Sequence, residues 1–432
     1  MSNAHDAASS TKTLWRNWLK FALVSLIFFQ TTAATFTSLG VALPFMIEEM
    51  SWSWSGAGLG FSVLSFMVGI SSRIPSWTID KLGMRATFGI GGVAMAVGFA
   101  LIATTSGLTQ YFVGAGLVGL GYTLCSLVPG VAVINEALPH RRSFAIGLYM
   151  TIGGLGGVAG PLVVTGVIST TDSWRVHWWL MAASIVLLSV LAVAVLKSHA
   201  RKSGLDEESP LKAEKHSDNV HKTRFDWSFK DVTRTPQFYV IVAAMTMTLF
   251  SGVTTNSWAV SHMGNLGIAI GIAAGGLSAH ALINALSRAF GGVFATWVDP
   301  KWLLASALVA EIIGMMALSK ADNMTMIILF AIGEGYGFGM CTFATTILLV
   351  NYYGPKEAPK TMGTMYLIST LAMLGPAIGG YVADQYGGFA GIFQSYAIVL
   401  AICLVAVIFM RPPTLHISSK EPDPTIKREG VT

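Results

Sequence analysis

Apolar runs of about twenty residues, parted by short breaks rich in Gly, Pro and charged side chains, recur along nearly the whole chain. At a rise of 1.5 Å per residue, such a run crosses a hydrocarbon core of ~30 Å. The pattern predicts twelve membrane-spanning helices, over residues 18–46, 55–77, 86–105, 109–135, 143–169, 175–196, 237–260, 270–297, 302–319, 324–350, 362–383 and 388–410. The longest polar interruption follows the sixth. Residues 197–235 hold nine Lys/Arg and seven Asp/Glu, which predicts a solvated linker between two six-helix halves. The expected units are 1–196, a linker over 197–236, and 237–432.

Composition sharpens this. Of 432 residues, 53% are hydrophobic and only 11% charged, which excludes a soluble enzyme and implies a chain whose partner is the lipid bilayer. The net charge of +5 does not make it a nucleic-acid binder, because its Lys and Arg lie in short loops and tails without interleaved aromatics. Cys125, Cys341 and Cys403 all fall in apolar runs without metal-ligand spacing, so neither a disulfide framework nor a metal site is expected. The polar start leads into a long apolar stretch with no small-residue cleavage motif, so the first helix is expected to remain. Placing both termini in the cytoplasm puts 23 of the 27 Lys/Arg on that side, which predicts this orientation; the short extramembrane loops suggest a bacterial inner membrane.

The second half echoes the first. Pro139 precedes Gly147 by eight residues and Pro355 precedes Gly363 by eight, at an offset of 216. Gly160-Pro161 returns as Gly375-Pro376, and Asp80 returns as Asp299. A duplicated six-helix unit accounts for all three.

Twelve spans in a 6+6 repeat, with Asp80-Lys81-Leu82-Gly83-Met84-Arg85 between spans two and three, resemble the major facilitator superfamily. The resemblance implies an all-α integral membrane protein: two six-helix bundles around a central site. The family's loop has Gly where Ser76 stands and Arg where Lys81 stands, while Asp80, Gly83 and Arg85 match. A carboxylate there can face a helix N-terminus and latch one conformation, which makes Asp80, Arg85 and the second-copy Asp299 candidate latch residues. Gly153, Gly154, Gly156, Gly157, Gly160 and Pro161 resemble the Gly/Pro-rich fifth helix of facilitator antiporters, a packing and bending element. Gly114, Gly116, Gly119 and Gly121 in span four likewise read as helix contacts rather than a dinucleotide loop.

Arg234-Thr235-Pro236-Gln237-Phe238-Tyr239, Ser287-Arg288 and Asn351-Tyr352-Tyr353-Gly354 resemble the bacterial oxalate/formate antiporter and monocarboxylate transporter branch, chiefly over the C-terminal half. In that branch a span-eight Arg binds the substrate carboxylate, and Arg288 occupies its place. Ser369 stands where the oxalate antiporter has a second cation, and Asn284 where animal monocarboxylate transporters have an Asp.

Arg288 is the strongest site candidate on physical grounds. It lies eleven residues before Asp299, about 16 Å of helix, which places it near the midplane, where a cation needs a reason to stay. The competing reading is a permanent ion pair with Glu311 or Glu334. Arg73, seven residues from Asp80, can reach the interface and needs no functional reading. Glu334 lies at comparable depth and is a proton-coupling candidate, or a fixed structural carboxylate. Glu311 is expected to be structural or at the lipid edge. His280, Asn284 and Arg288 share one face of span eight at i, i+4 and i+8; His280 either assists proton coupling or packs. Tyr122, Tyr149, Tyr336, Tyr366 and Ser369, with Asn256 and Trp258, are polar-tipped residues on spans that line the cavity of the resembled fold.

The expected function is secondary transport of a small organic anion, a monocarboxylate with one central cation, together with protons or a counter-anion. Neither a metal nor another cofactor is expected, and the protein is read as a monomer and not an enzyme. The alternatives are efflux of drug-like or amphiphilic solutes and, from another class, a membrane sensor that binds a solute without moving it.

Overall fold

The computed structural model describes residues 2–196, 223, 227–295, 297–354 and 357–414. Most of the expected linker, together with Pro355 and Lys356, lies outside the described residues.

Among the described residues, eleven helical stretches are long and apolar enough to cross a membrane. Ten are single spans: Trp15–Met50 (span one), Leu108–Ala137 (four), Phe144–Thr171 (five), Trp174–Val195 (six), Pro236–Asn265 (seven), Ile270–Phe294 (eight), Pro300–Leu318 (nine), Met324–Tyr353 (ten), Lys360–Tyr386 (eleven) and Ala390–Phe409 (twelve). The remaining stretch, Trp54–Ala103, has 50 residues, about 75 Å of helix and enough for two crossings. It is broken at Gly83, whose φ of 83° and ψ of 166° are not helical. A side chain would strain that left-handed turn, so glycine separates spans two and three inside the Asp80–Arg85 loop. The twelve-helix fold expected from the apolar pattern is therefore present, and twelve crossings return both termini to one face. That side is the terminal face, and the opposite side the far face.

Spans one to six form one bundle and seven to twelve the other, and the bundles meet along the span pairs one–seven, two–eleven and five–eight. The two halves repeat their contacts. A Cβ on Gly160 would lie 2.5 Å from both the Ala33 carbonyl oxygen and Thr37 Oγ1 of span one. One on Gly375 would press on Thr254 Oγ1 and lie 3.3 Å from the Phe250 carbonyl of span seven. Each Gly-Pro pair thus lets one helix touch the first span of its own bundle, the close approach that small residues permit.

Three spans are interrupted near mid-membrane. Span one widens into a π-helical turn at Ala33–Thr37, a feature that recurs at functional sites. Span four breaks at Ser126, between Leu108–Cys125 and Leu127–Ala137. Pro129, which has no N–H to give the Cys125 carbonyl, sits just beyond that break. Span eleven passes through a 3-10 turn at Thr370–Leu374.

The bundles are locked together on the far face. Asp384, near the end of span eleven, accepts hydrogen bonds from the backbone N–H groups of Trp54 and Ser55 at the start of span two, both at 2.9 Å. Trp54 packs edge-on against Trp258 of span seven at 5.7 Å, and Trp258 Nε1 donates to the Pro376 carbonyl at 2.8 Å. Toward the terminal face, by contrast, the Leu127–Ala137 segment of span four and the Ala358–Ser369 segment of span eleven pack within their own bundles. The cleft between the halves therefore opens toward the terminal face.

Candidate functional site

Span eight ends at Phe294, earlier than expected, and span nine begins at Pro300. Arg288 consequently stands six residues, about 9 Å, from the helix end, rather than at its midpoint. Side chains of a helix tilt toward its N-terminus, here toward the midplane, so the guanidinium still reaches inward. It lies 5.5 Å from the centre of the Phe338 ring of span ten, a cation–π contact. Tyr366 of span eleven and Tyr122 of span four lie close enough to act electrostatically on its charge. Tyr122 in turn stands beside Thr32 and meets the Phe36 ring of the π-helical turn edge-on at 5.6 Å. Arg288 is exposed although it sits among these groups from both bundles, the position of a side chain lining an open cleft.

The ion pairs considered for Arg288 do not form. Glu334 is completely buried and pairs with Nε2 of His280, itself buried and stacked on Phe330 at 5.7 Å. Glu311 is also completely buried, held by the hydroxyls of Thr248 (2.8 Å) and Ser251. The lipid-edge expectation for Glu311 is thereby corrected, since its side chain points into the bundle, toward spans seven and ten. Among the described residues no carboxylate lies within ion-pair distance of Arg288, so its charge is left to whatever enters the cleft.

The other candidates divide by where their polar atoms go. Asn284, one turn from Arg288, is half-buried, and its Oδ1 has no hydrogen-bond partner among the described residues; the same is true of His280 Nδ1 and Glu334 Oε1. Ser369 is buried and shares a 2.8 Å hydrogen bond with Thr246 of span seven. Tyr149 stacks on Phe28 at 4.8 Å and donates to the Ser126 carbonyl at 2.9 Å, within the break of span four. The Tyr336 hydroxyl shares a 2.9 Å hydrogen bond with Ser306 of span nine. The structure thus brings Tyr122 and Tyr366 toward Arg288, sets Asn284 Oδ1 against Gly339 of span ten, and commits Tyr149, Tyr336 and Ser369 to neighbouring helices. Trp258 is enclosed in the far-face contact. Asn256 bonds back to the Gly252 carbonyl at 2.9 Å.

Of the latch candidates, Asp80 and Arg85 are exposed on either side of Gly83. Asp299 caps span nine, accepting from the Lys301 N–H at 2.8 Å. Sequence reasoning missed Phe36, Phe338 and Asp384. The first two carry no charge to mark them, and Asp384 follows an apolar run in a way that looks like an ordinary solvated helix end.

The Major Facilitator Superfamily profile matches residues 23–304 and 259–429. The chain is 24% identical over 398 residues to a hexuronate transporter of Bacillus subtilis, covering 87% of this chain and 90% of that one. It is 22% identical over 366 residues to monocarboxylate transporter 2 of Meriones unguiculatus, covering 79% and 73%. A crystal structure of a variant of the nucleoside transporter NupG superposes with a TM-score of 0.70 at 15% identity, over 90% of this chain and 99% of that one, which speaks for the fold. Helices, cleft and profile agree, and the chain belongs to the major facilitator superfamily.

Proposed function

We propose that this protein is a secondary transporter of small organic anions, monocarboxylates foremost, working by alternating access between its two bundles. The observation that carries the reading is Arg288, a cation in the cleft that no described carboxylate neutralises. A guanidinium held within the membrane span is costly unless water or an anion meets it, and its planar fork matches a carboxylate. Tyr122, Tyr366 and Asn284 supply hydroxyl and amide groups to orient the bound anion. One cation, with Ser369 bound to Thr246 instead of providing a second charge, suits one carboxylate better than two.

Proton symport or anion exchange completes the cycle, with Glu334 and His280 as the proton-carrying pair. Their contact lies two turns of span eight from Arg288. An anion arriving there changes the field on the pair, and with it the pair's proton occupancy. The terminal face is the cytoplasmic one by its excess of Lys and Arg, the membrane is the cell inner membrane, and the cleft is the inward-open state of a monomer. Asp80, Arg85 and Asp299 are assigned to the cytoplasmic latch of the opposite state.

Efflux of amphiphilic solutes is the second reading, favoured by the Phe36 and Phe338 rings in the cleft; under it Arg288 is dispensable. The two separate in proteoliposomes. Uptake of labelled lactate, pyruvate, formate, oxalate and aromatic carboxylates, with and without an inward proton gradient, should show accumulation of one acid. Movement of amphiphiles alone would replace the anion reading with the efflux one.

A further inference from the structure

Span nine lies against spans ten, twelve and seven of its own bundle. Glu311 is enclosed at its middle, and its four-membered polar surround can be counted donor by donor. Glu311 Oε2 lies 2.8 Å from Thr248 Oγ1, and Thr248 Oγ1 lies 3.1 Å from Cys341 Sγ. Glu311 Oε1 touches Ser251 Oγ, which lies 2.8 Å from the Thr248 carbonyl oxygen. A carbonyl oxygen only accepts, and Ser251 has one O–H to give.

If Ser251 donates to that carbonyl, its contact with Glu311 needs a proton supplied by the carboxyl. The chain then closes without conflict. The Cys341 thiol donates to Thr248 Oγ1, the Thr248 hydroxyl to Glu311 Oε2, the Glu311 carboxyl to Ser251 Oγ, and the Ser251 hydroxyl to the Thr248 carbonyl. An ionised carboxylate could accept from both Thr248 and Ser251, but a full charge would then stay buried with no cation beside it among the described residues.

Among the described residues, the groups facing Glu311 supply no such cation. Span seven offers Thr248 and Ser251, with His262 at the far end bonded to the Leu318 carbonyl at 2.9 Å. Span ten offers Cys341 and Glu334, and span twelve offers Cys403. Lys301, at the terminal-face end of span nine, donates to the Ile408 carbonyl at 2.9 Å, and Lys320 lies beyond the other end. Spans nine and ten touch through glycines, a Cβ on Gly337 meeting Glu311 Cβ at 2.6 Å. Gly314, three residues on from Glu311, meets Glu334 in the same way, so the two acids stand along a single seam, close enough for the charge of one to act on the other.

We propose that Glu311 is a second buried protonation site, neutral at physiological pH, forming with Glu334 and His280 a three-base proton store inside the C-terminal bundle. Two protons make this store neutral: one on Glu311 and one shared as Glu334 carboxylate with His280 imidazolium, or held by Glu334 beside neutral His280. A proton passing from Glu311 to Glu334 leaves the total charge unchanged. Glu311 can thus refill the pair from behind while the cleft side releases. This use in transport rests on the anion–proton reading above; the protonation of Glu311 does not.

The test is infrared difference spectroscopy of the whole protein at pH 7, comparing H2O with D2O. Wild type should show the C=O stretch of a protonated carboxyl, shifted down by D2O. Glu311→Gln should lose that band and Glu334→Gln should keep it. A wild type without the band, or a Glu311→Gln spectrum that retains it in full, overturns the proposal. Should Glu311→Gln fail to fold, Glu311→Asp keeps the carboxyl and must move the band, and an unmoved band is equally fatal. For transport, Glu311→Gln should exchange labelled lactate across the membrane within about twofold of wild type while gradient-driven accumulation falls about tenfold. Unchanged accumulation removes Glu311 from the coupling. If lactate and the other acids do not move at all but the band behaves as described, the anion reading falls and the protonation site stands.

Discussion

Replacing Asp384 with Ala should release the far-face closure. Its carboxylate bridges the bundles through two hydrogen bonds of 2.9 Å to the first N–H groups of span two, where the helix dipole favours negative charge. Hydrogen bonds to charged groups contribute about 1.5–3 kcal/mol each when enclosed, but this carboxylate is exposed, and exposed charge contacts retain only about 0.2–1 kcal/mol. Two such contacts plus about 0.3–1 kcal/mol from the helix terminus give a total of about 2 kcal/mol. Folding should survive, because Ser53 caps the same helix from within its own bundle, accepting from the Gly56 N–H at 3.1 Å. The loss therefore falls on the balance between the two open states, shifting it about thirtyfold toward the one open on the far face. Nitroxides on Asp172→Cys and Lys320→Cys, one on each bundle at the far face, report that balance by double electron–electron resonance, the native cysteines being buried. Asp384→Ala should lengthen the dominant distance, and Asp384→Asn, which keeps one acceptor, should fall between. Identical distance distributions for all three would refute the clasp.

Other expectations follow from single contacts. Glu334→Gln should abolish the dependence of anion accumulation on an inward proton gradient while exchange continues, measured as counterflow at equal pH on both sides. Phe338→Leu removes the ring under Arg288 and should weaken substrate binding by about 0.5–2 kcal/mol, read as a KM increase with little change in maximal rate. Tyr149→Phe strips the hydroxyl from the Ser126 carbonyl and should lower stability by about 1 kcal/mol, seen in thermal unfolding, with substrate preference unchanged. Gly160→Val drives a branched side chain into the Ala33 carbonyl and should cost about 1–3 kcal/mol or more, lowering yield and melting temperature.

The spans themselves were legible because hydropathy reports membrane crossing directly. The run expected over 109–135 is the helix pair ending at Ala137, and 302–319 is Pro300–Leu318. Gly83 separates spans two and three inside the loop where the Asp80 motif places a turn. Partnership within the membrane was less legible, because it depends on which helix faces which. Glu311 and Glu334 look alike in sequence, yet one meets hydroxyls and the other an imidazole. The i, i+4, i+8 spacing put His280 and Arg288 on one face but gave no sign that Glu334 would take the first and leave the second. Arg288 is shallower than its eleven-residue spacing to Asp299 implies, because the helix stops at Phe294. The π-helical turn at Ala33–Thr37 has no pattern of its own in an apolar run, so Phe36 drew no notice.

The claim on which the rest depends is that Arg288 meets the substrate's charge. Counterflow of the transported acid by wild type, Arg288→Lys and Arg288→Gln tests it directly, with protein level and melting temperature as controls. Loss of a charge-assisted, bidentate contact worth about 2–4 kcal/mol predicts that Arg288→Gln falls at least about thirtyfold, and that Arg288→Lys recovers part of the activity with a raised KM. A folded Arg288→Gln protein that carries the acid at the wild-type rate would contradict the account.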